Sequence, residues 1–246
     1  MIDLSGKRAL VAGGSRGIGA AIALALAENG ADVAFTYQHS VEKARAVSGS
    51  IEATGRRALG IQADSADPGA IARAVDEAVS ALGGLDILIN SAAIAYYGTV
   101  ADLDLDAYQK LMDVNVRAPM LFAKAAIPHL PDGGRIVTIG SGLGERVPFP
   151  GVTAYAVSKA ALTSFTRGLS RELGPNGITV NLVQPGSTDT DANPADGPSA
   201  DAQRSMTSLG RYAQPREIAN AVVFLASPAA SVITGAVLNV DAGALA

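Results

Sequence analysis

The sequence has no cysteine, no tryptophan and only two histidines, His39 and His129, and its aromatic residues amount to 4%. Without cysteine there is no disulfide, thiol nucleophile or thiolate metal site, and two histidines are too few for a structural zinc centre. No metal site is expected. Charge is sparse as well: 17% of residues are Asp, Glu, Lys or Arg, the net charge is −4, and no basic run occurs. That balance argues against a dedicated nucleic-acid or anionic-membrane surface. Long apolar runs are missing too. The N-terminal MIDLSGKRALVAGG is too short and too charged for a signal segment, and nothing approaches the roughly 20 apolar residues of a membrane span. A cytoplasmic protein with neither nucleic-acid nor membrane partners is expected. What the chain does have is 48% hydrophobic residues over 246 positions, enough to exclude disorder and to fill one large α/β core.

Short β-branched or apolar runs alternate with longer Ala-rich stretches of helical period, as expected when parallel strands are joined by crossover helices. Strands are predicted at 8–12, 32–37, 58–62, 86–90, 135–140, 179–183 and 236–240, and helices at 18–29, 41–54, 68–82, 106–129, 154–173 and 215–225. The pattern is that of an α/β, single-domain doubly wound parallel sheet of about seven strands with helices on both faces, spanning 1–246. In such a sheet ligands bind beyond the carboxyl ends of the strands. Residues just after Ala12, Asn90, Gly140 and Val183 should therefore converge on one crevice. Only 186–210, rich in Ser, Asp, Pro and Gly, breaks the rhythm, and it is expected to form a mobile substrate lid.

The first strand runs into Gly13-Gly14-Ser15-Arg16-Gly17-Ile18-Gly19 and then directly into an Ala/Leu-rich helix. Small residues allow a sharp turn and let a pyrophosphate approach the amides of a positive helix end. A glycine-rich turn by itself is weak evidence; the preceding strand and following helix strengthen it. The second strand ends in Thr36-Tyr37-Gln38-His39-Ser40, with no carboxylate to accept from an adenosine ribose hydroxyl. Arg16 is placed to pair with a 2′-phosphate, which favours NADP(H) over NAD, unless it is only a solvated loop charge. Asp64 is a candidate acceptor for an adenine amino group or, alternatively, the cap of the helix near Pro68.

The spacing Tyr155-Ala156-Val157-Ser158-Lys159 places a phenol and an ammonium one helical turn apart. A neighbouring ammonium is expected to lower the tyrosine pKa from near 10 by about 1 to 3 units, towards the range useful for proton transfer. The same spacing arises by chance on exposed helices, so Ser141, directly after a predicted strand, matters: its hydroxyl is placed to hold a carbonyl oxygen beside Tyr155. Asn115 lies inside a predicted helix that it does not favour. It either holds a water linking Lys159 to solvent or bends the helix by bonding nearby backbone. Leu143, Val147, Phe149, Tyr97 and Met206 are candidate apolar walls for an aryl, alkyl or cyclic ketone, although such residues also serve cores and interfaces.

Taken together, these residues resemble the short-chain dehydrogenases/reductases, in particular the 3-oxoacyl-carrier-protein reductase type, over essentially the whole length. The markers are Gly13, Gly17 and Gly19, the group Asn115, Ser141, Tyr155 and Lys159, and Pro185-Gly186 followed by Thr190. The resemblance implies a single Rossmann-like domain, commonly tetrameric, that transfers hydride between NADP(H) and a small-molecule ketone or secondary alcohol. Tyr155 would be the acid/base, Lys159 the ribose ligand that tunes it, Ser141 the carbonyl orienter and Asn115 the support of a water relay. Gly13, Ser15, Arg16, Gly17, Ile18, Gly19, Tyr37, Asp64, Asn90, Pro185, Gly186, Thr188 and Thr190 would join Tyr155 and Lys159 in holding the cofactor. Three departures stand out: Ala12 before the glycine loop, Ala93 where Asn-Asn-Ala-Gly is usual, and Ala242 in the C-terminal Asp-Gly-Gly. The stretch 184–194 also resembles that of a cyclic-di-GMP-binding bacterial member of the family, so the alternative is a nucleotide-binding regulator with incidental turnover or none.

Overall fold

In the computed structural model, which describes residues 2–246, seven strands pair in one wholly parallel sheet of order β3-β2-β1-β4-β5-β6-β7. The strands are β1 (Arg8–Ala12), β2 (Asp32–Tyr37), β3 (Ala58–Gln62), β4 (Ile87–Asn90), β5 (Arg135–Ile139), β6 (Thr179–Pro185) and β7 (Val237–Val240). The central ones are buried along their whole length, which is why they read as continuous apolar runs rather than alternating ones. Their side chains still divide by the two-residue period of a strand. Val11, Val33, Ile89 and Val137 pack with α1 (Gly17–Glu28), α2 (Val41–Glu52) and α8 (Pro215–Ala226). Leu10, Ala34, Leu88, Ile136 and Val180 pack on the opposite face with α3 (Pro68–Leu82), α5 (Ala118–Ala126) and α6 (Thr153–Leu173).

The chain builds outward from β1 to β3, then returns to lay β4 on the other side of β1. Connections leaving β1 and β4 therefore diverge, and their carboxyl ends open a crevice at this switch point.

Two segments differ from expectation. The predicted helix 106–129 is broken into α4 (Leu105–Met112), a π-turn (Asp113–Arg117), α5 and a short 3-10 turn (Ile127–His129). Pro119 has no N–H to give to the Asn115 carbonyl four residues back, and the ladder widens to Ala118 N–H bonding the Asp113 carbonyl. The irregular stretch 186–210 contains a helix the sequence reading lacked, α7 (Ala200–Ser205). Among the described residues no helix is long and apolar enough to cross a membrane.

Candidate active site

The nucleotide end is assembled by backbone. Beyond β1 the Gly13 N–H donates to Thr36 Oγ1 at 3.0 Å and the Gly14 N–H to the Thr36 carbonyl at 2.9 Å, tying the glycine loop to β2. A Cβ on Gly19 would lie 2.0 Å from the Gly13 carbonyl oxygen, and one on Gly13 (φ +79°) 2.7 Å from Ala92 Cα. Only glycine lets α1 start this close to the loop. The first turn of α1 has neither a side-chain cap nor an acidic residue, so its unpaired N–H groups and positive end face a cleft of ≈ 550 Å³. This donor set suits the pyrophosphate of a dinucleotide.

Gly13, Ser15, Arg16, Gly17, Ile18, Gly19, Tyr37, Asp64, Tyr155, Lys159 and Thr190 all line this cleft. Asn90 does not: its side chain is buried in the sheet, with Nδ2 3.4 Å from Thr138 Oγ1. Pro185, Gly186 and Thr188 line the adjoining cavity instead, because β6 runs two residues further than expected before the chain turns away. Asp64 lines the cleft while accepting from the Ala66 N–H at 2.8 Å, and the cap of α3 is Asp67, which accepts from Gly69 N–H at 2.8 Å.

Around Tyr155 the arrangement departs from expectation in one respect. Tyr155 and Lys159 share a face of α6, with Lys159 Nζ 5.8 Å from the phenol ring centroid. Yet burial pushes the Tyr155 pKa up to about 12, against the opposing pull of the Ser141 hydroxyl. Lys159 is itself buried, its pKa is pressed down to about 8, and Nζ donates to the Ile139 carbonyl at 3.2 Å. Desolvation outweighs the charge pairing that helical spacing suggested.

Asn115 ties the π-turn to two other segments. Its Oδ1 accepts from the Ile94 N–H at 2.9 Å, and Nδ2 donates to the Ile94 carbonyl at 2.9 Å and to Ser158 Oγ at 3.1 Å. Both amide protons are spent on protein groups. Of the two readings open in the sequence, backbone bonding in a distorted helix is present.

Beside the nucleotide cleft lies a second cavity of ≈ 310 Å³ lined by Ser141, Leu143, Phe149, Tyr97 and Met206, as expected, but not by Val147. Tyr155, Ile18 and Thr190 border both spaces.

Leu245, which sequence reasoning missed, closes one wall. It is brought there by a C-terminal turn in which the Asp241 carboxylate accepts from the Gly243 and Leu245 N–H groups at 2.9 and 3.0 Å, and Arg146 donates to the Ala244 carbonyl at 2.8 Å. Gln203 and Asn193, also missed, brace the irregular segment through a reciprocal pair of amide hydrogen bonds, each 2.9 Å. Lys43 on α2 pairs with Asp191 across the cleft mouth. No local spacing links residues so far apart in sequence.

Residues 12–244 match a family model described as enoyl-(acyl carrier protein) reductase. A cyclic-di-GMP-binding biofilm dispersal mediator protein of Escherichia coli (strain K12) is 44% identical over 237 residues, covering 96% of this chain and 96% of that protein. A versicolorin reductase of Emericella nidulans is 39% identical over 254 residues, covering 98% and 96%. Among solved structures, a short chain dehydrogenase from Burkholderia cenocepacia J2315 in complex with NADP superposes with a TM-score of 0.97 at 56% identity, over 99% of each chain. With the sheet order, the glycine loop and the Tyr155–Lys159 turn already in place, these matches make the chain a member of the short-chain dehydrogenase/reductase family of oxidoreductases.

Proposed function

We propose that the protein is an NADP(H)-dependent carbonyl reductase that interconverts a ketone and a secondary alcohol, with Tyr155 as the acid/base. The observation that carries this reading is the position of Tyr155 on the border between the nucleotide cleft and the apolar cavity, with Ser141 and Lys159 beside it. NADP(H), when bound, supplies or accepts the hydride. Tyr155, neutral at pH 7 as any phenol is and made a weaker acid still by burial, gives its proton to the oxygen that gains charge, and the Ser141 hydroxyl orients that oxygen. Lys159 keeps a positive charge beside the phenol below its pKa of about 8.

Preference for the phosphorylated cofactor is supported by Arg16 lining a cleft whose β2 end, Thr36 to Ser40, carries no carboxylate, and by the NADP bound in the Burkholderia relative. Met206, Asn193 and Gln203, from the 186–210 segment, reach the cavity, so that segment serves as the substrate lid. The apolar walls favour an aryl, alkyl or cyclic ketone. A homotetramer follows from the family resemblance.

The test is consumption of NADPH, with NADH in parallel, against a panel of ketones and quinones. Turnover is expected with NADPH, and Tyr155→Phe should lose about 10²- to 10⁴-fold in kcat while binding NADPH as before. Full activity of the variant would refute the assignment.

A second reading, a signalling-nucleotide binder, is favoured by the cyclic-di-GMP-binding relative and by Thr190 to Ala192 lining the nucleotide cleft. Calorimetry with cyclic-di-GMP decides it: tight binding without carbonyl reduction supports it, and no heat at high protein concentration removes it.

A further inference from the structure

Between Tyr155 and Lys159 sits Ser158, which is 0% exposed and touches neither cavity. Its Oγ donates to the Tyr155 carbonyl at 2.7 Å and accepts from Asn115 Nδ2 at 3.1 Å. Asn115, 1% exposed, has its remaining amide groups fixed on the Ile94 N–H and carbonyl. The orientation of that amide is unambiguous, since the Ile94 N–H can only be met by Oδ1, which turns Nδ2 towards Ser158. Ile94 in turn lines the nucleotide cleft. One hydroxyl therefore joins three segments of distant sequence: the first turns of α6, the π-turn and the cleft floor.

We propose that Ser158 is a positioning residue for the proton-transfer group, holding the Tyr155–Lys159 turn in register with the cleft floor through Asn115 and Ile94. A serine hydroxyl bonded to the carbonyl three residues back draws that carbonyl aside and bends the helix locally. Here the bend falls on the turn that carries both the phenol and the ammonium. A proton-transfer geometry tolerates little error, and a shift of about 1 Å can cost on the order of 10²-fold in rate. Without the hydroxyl, one Asn115 amide proton is left buried and unpaired, and both the turn and the π-segment lose their common anchor. The nucleotide-binding amides of the glycine loop are built separately on β1 and β2 and are left untouched.

This inference rests on the carbonyl reductase reading, and its test separates the two. Ser158→Ala is compared with the wild-type protein using NADPH and a ketone that the wild type reduces. The expected result is a fall of about tenfold in kcat that exceeds any rise in the NADPH KM, together with faster amide exchange at Ile94 by fivefold or more. Wild-type kcat, or kcat and KM worsening together in step with a lower melting temperature, overturns it. Should the alanine variant not fold, Ser158→Cys, close in volume but a poor hydrogen-bonding group, is read by the same outcomes. If no ketone is reduced by the wild type, the reductase reading fails, and the Ile94 exchange rate still decides whether Ser158 holds the floor: unchanged exchange overturns the proposal.

Discussion

The two ends of the crevice are built by different means. At the nucleotide end, consecutive residues of one strand, turn and helix form the receptor, and its functional groups are main-chain amides whose positions follow from where glycine stands. At the substrate end the walls come from the segment after β5, the 186–210 segment and the C-terminal turn, held by side-chain hydrogen bonds between residues far apart in sequence. The first end is determined by steric exclusion, the second by many individually modest contacts. Single substitutions should therefore disrupt the first and adjust the second.

The largest effect is expected at the glycine loop. Gly19→Ala places a Cβ 2.0 Å from a backbone carbonyl that no rotamer change can relieve, so the loop and α1 must separate at a cost of about 3 kcal/mol. NADPH affinity, followed by fluorescence titration, should fall more than tenfold along with the melting temperature; an unchanged dissociation constant would erase the contrast between the two ends.

Where the ends meet, Lys159 sharpens the comparison through pH. Its folded pKa of about 8 lies below the ordinary 10.5, so between those values the unfolded chain holds more protons and stability rises with pH. Tyr155, raised from 10.0 to about 12, acts oppositely and only above pH 10. Urea unfolding should show the wild type gaining about 2 kcal/mol from pH 7.5 to 9.5 relative to Lys159→Met. The variant should also be the more stable of the two at pH 7.5, as expected where a buried charge is kept for function rather than stability. Parallel pH profiles would mean that the ammonium is solvated.

The smallest effect belongs to the substrate end. Ala242 adopts φ +55°, the left-handed region, at the position where the family resemblance places a glycine. Replacing it with glycine should stabilise by about 1 kcal/mol and raise the melting temperature by about 2–4 °C. The ketone KM should stay unchanged, because Asp241 and Arg146 still hold Leu245 in place. A change in KM larger than the change in stability would show the strained turn to be part of the substrate wall's geometry.

Much of this architecture could be read from the chain. The runs 8–12, 32–37 and 58–62 were expected as strands with the ends they have: 8–12 and 32–37 are largely buried and mainly apolar, 58–62 is a short edge strand only partly covered, and the intervening helices carry their own stop signals. The glycine loop was legible for a related reason: strand, small residues and helix are contiguous. Pro119 was a visible signal for the break in 106–129 that the amphipathic period concealed, and α7, at six residues, is too short to show a period at all. The sign of the Tyr155 shift was not legible. Helical spacing reports that Lys159 is a neighbour, but how far both groups are desolvated depends on what the rest of the chain lays over them.

The sequence by itself determined most of the strands and helices, that their connections form a doubly wound parallel sheet, that Gly13, Gly17 and Gly19 follow its first strand, and that Tyr155 and Lys159 stand one helical turn apart. These are consequences of local sterics and hydrophobic period, which act over a few residues. Only the tertiary structure decided that Asn115 bonds Ile94 and Ser158, that Leu245 closes the substrate cavity, and that the phenol is the more weakly acidic member of its pair. Those outcomes depend on burial and on hydrogen-bond partners drawn from distant parts of the chain, and they exist only once the chain has packed.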